Sequence, residues 1–274
     1  MIMGANIGTT ITSTIISLSF ISKREEFSRA ISAAISHDLF NISVVVILFP
    51  LEYKYALLTS SAEYLSSLFT DKTNLYEVFA KKEFWFSLSY FTDAYLKLIN
   101  NTVVNLIISF LMLFLSIKFI SQTIYRSIMG ESEGRVKNYI FNDTLKSFSW
   151  GVLVTGAIQS SSITTSIIVP FVATNKISLK KAVPFVIGAN IGTTITAFIA
   201  VMFESYATVN IAITHLLFNI TGVLLFLPFA GLRNMLIRIS IHFGNLVARY
   251  RALLIIYVLV IFFMIPFLLI YFNK

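Results

Sequence analysis

Seven residues occur twice in this chain. GANIGTT fills Gly4–Thr10 and fills Gly188–Thr194 again, 184 positions later. The likeness continues as ITSTI against ITAFI. A second matched block follows each copy: AISHDLFNI over Ala34–Ile42 and AITHLLFNI over Ala212–Ile220. Each of these runs into an apolar stretch closed by Phe-Pro or Leu-Pro. Chance does not give two ordered matches of this kind, so the chain contains a duplicated unit. Its fold is thereby limited to architectures built from two related parts.

The duplicated blocks lie in apolar surroundings. Hydrophobic residues make up 57% of the chain and charged residues 12%, against roughly 25% charged in a soluble domain. That is too little polar material to clothe a soluble globule. With no Cys, a disulfide scaffold is excluded too. Arg251–Phe272, Thr102–Ile124, Ala30–Pro50 and Val209–Leu227 each approach the roughly 20 apolar residues that cross a bilayer. Trp150–Ala173 and Pro184–Phe203 are apolar but carry clusters of Ser, Thr, Gly, Asn or Gln, which predicts broken helices there. The expectation is an all-α polytopic membrane protein in the lipid bilayer of the cell membrane. The net charge of +8 comes from basic residues set singly or in pairs between apolar segments. That pattern suits helix flanks and argues against a nucleic-acid partner. There is no P-loop, GxSxG or metal-spaced His/Cys cluster, so no enzyme and no bound cofactor are expected. Met1 is followed at once by the Gly/Asn/Thr motif rather than a basic region, so no cleavable signal peptide is expected.

Charge orients the copies. After the first GANIGTT helix comes Ile21–Arg29 with three Lys/Arg; after the second comes Glu204–Thr208 with none. The positive-inside rule puts these equivalent loops on opposite sides. It puts Ser121–Phe148, Thr174–Val183 and Gly231–Arg251 inside, and Leu51–Leu98 outside. Trp150–Ala173 then enters and leaves on one side, as a re-entrant hairpin. Two copies running in opposite directions, with interrupted Gly-containing segments, point to an inverted-repeat secondary transporter.

The polar residues within these segments are candidates for its site. Gln159–Ser162 reads QSSS and continues into Thr164, Thr165 and Ser166. A hard cation such as sodium takes amide, hydroxyl and freed backbone oxygens, while an oxyanion takes hydroxyls, amide N–H and helix-start N–H groups. In the second GANIGTT, Gly188 and Gly192 would permit non-helical backbone, and Asn190, Thr193, Thr194 and Thr196 would present polar groups on the resumed helix. Thr193 and Thr196, three apart, share a face. Single Ser and Thr residues commonly serve as small packing residues between membrane helices, but QSSS with a duplicated GANIGTT favours binding. His37 and His215 are matched in the repeat, and each precedes an Asn, Asn41 or Asn219, by four residues. Hydrogen bonding between helices is their first reading; substrate or proton coupling is the second. Asp38 is the acid of the predicted spans, with a basic residue at the helix end as its expected partner.

At these residues the chain resembles the type II sodium/phosphate cotransporter family. The resemblance rests on QSSS at Gln159–Ser162, IMGANIGTT at Ile2–Thr10 and IGANIGTT at Ile187–Thr194. It rests also on the His37–Asn41 and His215–Asn219 blocks and the stretch His242–Pro266. It implies sodium-driven uptake of inorganic phosphate, with sodium as the coupling ion. By the resemblance, Gln159, Ser160, Ser161 and Ser162 contact sodium or phosphate. Thr193 and Thr196 match a sodium site, and Asn190, Asn6, Thr9 and Thr10 follow as further candidates. Ala5 and Ala189 stand where some members carry Ser, so those positions supply no side-chain oxygen. Two other readings of the scaffold are a non-transporting membrane subunit and a sodium symporter for another small anion.

QSSS begins 29 residues before the second GANIGTT; the same spacing places a first QSSS about 25 residues upstream of Met1. The expectation is a carrier without its first half-site, as a fragment, a misplaced start, a disrupted gene or a split transporter whose second chain supplies that half-site. On this reading residues 1–56 are the remainder of the first repeat. Residues 57–148 connect, through one membrane helix and its flanking loops, and 149–230 are the second repeat. Residues 231–274 form an amphipathic segment and a terminal membrane helix.

Overall fold

A computed structural model describes residues 1–70, 101–109, 139–201 and 206–272, with 111, 112, 115 and 119 between them. About half of the predicted span Thr102–Ile124, most of the Ser121–Phe148 linker and the later part of Leu51–Leu98 lie outside these residues. Segment 102–109 is helical, as predicted.

The described residues form an all-α fold. The first copies of the duplicated blocks lie on α1 (Ile2–Gly8), α2 (Ile11–Ser17) and α3 (Arg24–Tyr55), with a 3-10 turn (Leu18–Phe20) before α3. α4 (Leu57–Thr70) follows directly. α5 (Thr144–Ile158) and α6 (Ser161–Ala173) precede α7 (Leu179–Val201) and α8 (Tyr206–Phe226), which carry the second copies of the duplicated blocks. α9 (Ala230–Arg249) precedes a terminal helix made of α10 (Ala252–Val258), a π-helical stretch (Leu259–Met264) and α11 (Ile265–Phe272). Among the described residues, three helices are long and apolar enough to cross a bilayer: Arg24–Tyr55, Leu179–Ile199 and Thr208–Phe226.

α3 has 32 residues, about 48 Å at 1.5 Å per residue, so it outreaches a hydrocarbon core of roughly 30 Å. The basic segment Ile21–Arg29 is therefore largely the first turns of α3 rather than a loop, with Glu25 and Glu26 at the electropositive helix start. At its other end Glu52 accepts from the Leu58 N–H at 2.6 Å and from the Thr59 hydroxyl, which caps the start of α4. Ala62 of α4 packs on Val209 and Ile213 of α8.

The predicted break in Pro184–Phe203 is not present. α7 runs unbroken through GANIGTT, and no glycine among the described residues has positive φ. Gly188 and Gly192 serve packing instead. A Cβ on Gly188 would sit 2.0 Å from the Phe148 carbonyl oxygen, and one on Gly192 would sit 2.6 Å from that of Val152. Reciprocally, a Cβ on Gly151 of α5 would sit 2.1 Å from the Phe185 carbonyl oxygen. α5 and α7 thus meet backbone to backbone, as small-xxx-small faces allow. In the first copy the same motif does break: α1 ends at Gly8 and α2 starts at Ile11.

Two arginines close helix ends across the fold. Arg233 of α9 is buried and donates through Nη1 to the Leu227 carbonyl at 2.5 Å, just past the end of α8. Arg29 of α3 donates through Nε to the Ala173 carbonyl at 2.8 Å, at the end of α6. Cations here satisfy carbonyls that the helix leaves unpaired and meet the negative end of its dipole. The π-helical stretch ends two residues before Pro266, whose missing N–H and ring disturb the preceding turn.

Candidate functional site

The QSSS segment is the turn between α5 and α6. Gln159 closes α5 in the left-handed region at φ 58°, its N–H bonded to the Thr155 carbonyl at 2.6 Å. A non-glycine residue there costs on the order of 1–2 kcal/mol, and such strain gathers at functional sites. Ser160 takes the N-cap position of α6, its Oγ accepting from the Ile163 N–H at 3.3 Å. The N–H groups of the first helical turn, on Ser161 and Ser162, lie outside the intrahelical ladder and suit an anion. The predicted interruption of Trp150–Ala173 thus falls at QSSS.

This turn meets the interruption in the first copy. Ser162 Oγ donates to the Thr9 carbonyl at 3.0 Å. One helical turn deeper, Ser13 Oγ and Thr165 Oγ1 share a hydrogen bond of 3.1 Å, both buried. Thr9 and Thr10 turn their hydroxyls onto the Asn6 and Ile7 carbonyls, at 2.9 and 2.7 Å. Thr9 is exposed and Thr10 buried.

Thr10 and Thr14 lie beside the Asp38 carboxyl. The Asp38 partner is Tyr257 of α10, whose Oη donates to Oδ2 at 2.8 Å. This corrects the expectation of a basic partner. The reason is position: Asp38 lies mid-helix in α3, almost four turns from Arg24, beyond the reach of the basic helix end. Asp38 Oδ1 is buried with no hydrogen-bond partner among the described residues.

The two His–Asn blocks, equally spaced in the two copies, form a second polar cluster. His37 Nε2 bonds Asn190 Oδ1 at 2.9 Å, and His215 Nε2 bonds Asn6 Oδ1 at 3.2 Å. The histidine of each repeat thus holds the GANIGTT asparagine of the other. Amide oxygen only accepts, so each bond requires the proton on Nε2. Asn190 also donates to Asn41 Oδ1 at 2.9 Å. Within each repeat the second Asn donates to the backbone at the first: Asn41 to the Asn6 carbonyl at 2.8 Å, Asn219 to the Asn190 carbonyl at 3.4 Å. The sequence showed that His37 and Asn41 share a face, as do His215 and Asn219. It did not show that those faces cross to the opposite repeat.

The remaining candidates are placed differently. Thr193, Thr194 and Thr196 each turn a hydroxyl onto a carbonyl of α7, at 3.3 Å to Ala189, 2.9 Å to Ile191 and 2.9 Å to Thr193. Asn190 faces α3, while Gly192 and Thr196 face α5. The structure brings Ser162 to Thr9, and Asn6 and Asn190 to the histidines. Sequence reading missed Ser13 and Thr14, whose signal was the run of hydroxyls in ITSTIIS.

No solved structure matches this chain. Among curated proteins it is 28% identical to the sodium-dependent phosphate transport protein 2B of Bos taurus, over 97% of this chain and 52% of the relative. It is 27% identical to proteins 2A and 2C of Rattus norvegicus, again over 97% of this chain and over 53% and 57% of those relatives. The chain spans about half the length of the curated relatives it matches. The family model described as Na+/Pi-cotransporter matches residues 111–253, which contain QSSS, the second GANIGTT and the His215–Asn219 block. With that match over half of its length, a helical fold and three membrane-length helices, the chain belongs to the Na+/Pi-cotransporter family, a family of carriers rather than enzymes.

Proposed function

We propose that the chain serves sodium-coupled symport of inorganic phosphate across the cytoplasmic membrane, by alternating access between two inverted repeats. The observation that carries this reading is the meeting of two interrupted backbones: Ser162 at the QSSS turn bonds the Thr9 carbonyl at 3.0 Å. Gln159, Ser160, Ser161 and Ser162 offer hydroxyls, an amide and helix-start N–H groups to phosphate. Thr9, Thr10, Thr193, Thr194 and Thr196 offer oxygens to sodium. Asn6 and Asn190 fix the helices that carry those threonines. The α5–α6 hairpin enters and leaves on one side; its turn, like other irregular backbone at membrane depth, is covered by protein or by a watery cavity.

Phosphate is largely divalent at neutral pH. Bringing two negative charges inward against about −100 mV costs roughly 4.6 kcal/mol. Two sodium ions cancel that charge and a third makes transport electrogenic. Pairing ions and phosphate at one centre also limits the desolvation cost of each.

The test is sodium-dependent uptake of radiolabelled phosphate by proteoliposomes. Uptake that depends on sodium and falls at least about tenfold in Gln159→Ala supports the reading. Uptake unchanged by Gln159→Ala and Thr193→Ala removes the site assignment. Because the match covers about half of each relative, a second reading is a membrane subunit working with another chain that supplies a QSSS half-site. Uptake seen only when such a chain is co-reconstituted supports that one. Sodium-driven uptake of another small anion in place of phosphate supports a changed substrate.

A further inference from the structure

The His–Asn cluster is reciprocal but uneven. In terms of the repeat, Asn6 corresponds to Asn190, His37 to His215 and Asn41 to Asn219. Symmetry calls for four bonds between the repeats, and three are made. Asn190 is held twice, by His37 at 2.9 Å and by Asn41 Oδ1 at 2.9 Å. Asn6 is held once, by His215 at 3.2 Å. The fourth bond would join Asn6 Nδ2 to Asn219 Oδ1. Instead Asn6 Nδ2 donates to the Ile2 carbonyl of its own helix at 3.1 Å. Asn219 Oδ1 is left buried, with no hydrogen-bond partner among the described residues. A buried acceptor without a donor costs free energy, and His215 puts Asn6 one helical turn from Asn219 on the same face of α8.

We propose that Asn41 and Asn219 are positioning residues that alternately clasp the GANIGTT asparagine of the opposite repeat, and that this exchange accompanies alternating access. In the opposite-facing form Asn6 Nδ2 leaves Ile2 for Asn219 Oδ1. Asn190 Nδ2 leaves Asn41 for the carbonyl of Val186, which corresponds to Ile2. His37 and His215 keep their bonds throughout and act as the pivot. The two forms then hold equal numbers of bonds, so the cluster has two arrangements of similar energy, as a switching element needs. What the exchange accomplishes rests on the symport reading; the exchange itself is tested without substrate.

The chain has no Cys, so one engineered pair reports cleanly. Ser13→Cys with Thr165→Cys replaces a contact of 3.1 Å that joins α2 of the first repeat to α6 of the second. The proposed exchange draws α2 and α6 apart in the opposite form, so oxidative crosslinking of this pair in proteoliposomes reads the population of the present form. In that background Asn219→Leu removes the acceptor of the opposite form, and crosslink yield rises by about twofold or more. Asn41→Leu removes the acceptor of the present form, and yield falls by about twofold or more. Equal yields in the two variants, or changes in the same direction as a shared folding defect would give, overturn the proposal. Opposite shifts in a chain that takes up no phosphate leave the exchange standing and count against the symport reading alone.

Discussion

His37 in the first repeat and Asn190 in the second are joined by a buried hydrogen bond of 2.9 Å across 153 positions of sequence. The bond closes the first His–Asn block onto the second GANIGTT, and His215 with Asn6 does the converse at 3.2 Å. Each repeat's polar motif is therefore completed by the other repeat.

Asn190→Leu removes the partner of His37 Nε2 and of Asn41 Oδ1 together. Each buried group left unpaired costs about 1–3 kcal/mol, so the variant loses roughly 2–6 kcal/mol. Thermal unfolding of purified protein in detergent should show a fall of many degrees. A melting point within a degree of wild type would mean that the bond carries no stability.

The two copies of GANIGTT should respond in opposite ways to the same substitution. Gly188→Ala puts a Cβ 2.0 Å from the Phe148 carbonyl oxygen and forces α5 and α7 apart, costing about 1–3 kcal/mol. Gly4→Ala meets nothing within 4 Å and gains up to about 1 kcal/mol from helix propensity. Paired melting curves of the two variants check this contrast.

Gln159→Gly separates stability from function. Glycine relieves the left-handed backbone at φ 58° and should stabilise the hairpin by about 1 kcal/mol. If the Gln159 amide contacts the transported ions, the same variant loses uptake. Higher thermal stability with unchanged uptake would remove Gln159 from the site.

Tyr257→Phe deletes the donor to Asp38 Oδ2, now at 2.8 Å, and leaves that carboxyl with the nearby threonine hydroxyls. The expected loss is about 1–3 kcal/mol, with loosened packing of α10 on α3. Faster proteolysis or hydrogen exchange in 252–258 reads the loosening; exchange unchanged from wild type would show that other contacts hold α10.

Much of the architecture was legible in the chain. The length of the apolar runs placed α3, α8 and the terminal helix, because any segment crossing a bilayer must satisfy its own backbone. The QSSS break was legible for the same reason: hydroxyls and amides in hydrocarbon mark an interruption. The glycines misled. Gly188 and Gly192 allow either an irregular backbone or a close helix contact, and only the arrival of α5 selects between them. The boundary of Ile21–Arg29 was misplaced because Arg24 and Arg29 are good helix formers whose charge says loop only when the helix is assumed to stop at the bilayer edge.

The sequence alone determined that the protein is helical, membrane-embedded and duplicated, since composition, run length and repetition follow from residue order. Tertiary structure decided the pairing of its polar groups. Asp38 takes Tyr257, Ser162 takes the Thr9 backbone, and each histidine takes the asparagine of the opposite repeat. Spacing along a helix tells which side chains share a face. Which helix that face meets depends on how all the elements pack at once, and that choice is made across distances of 150 residues and more.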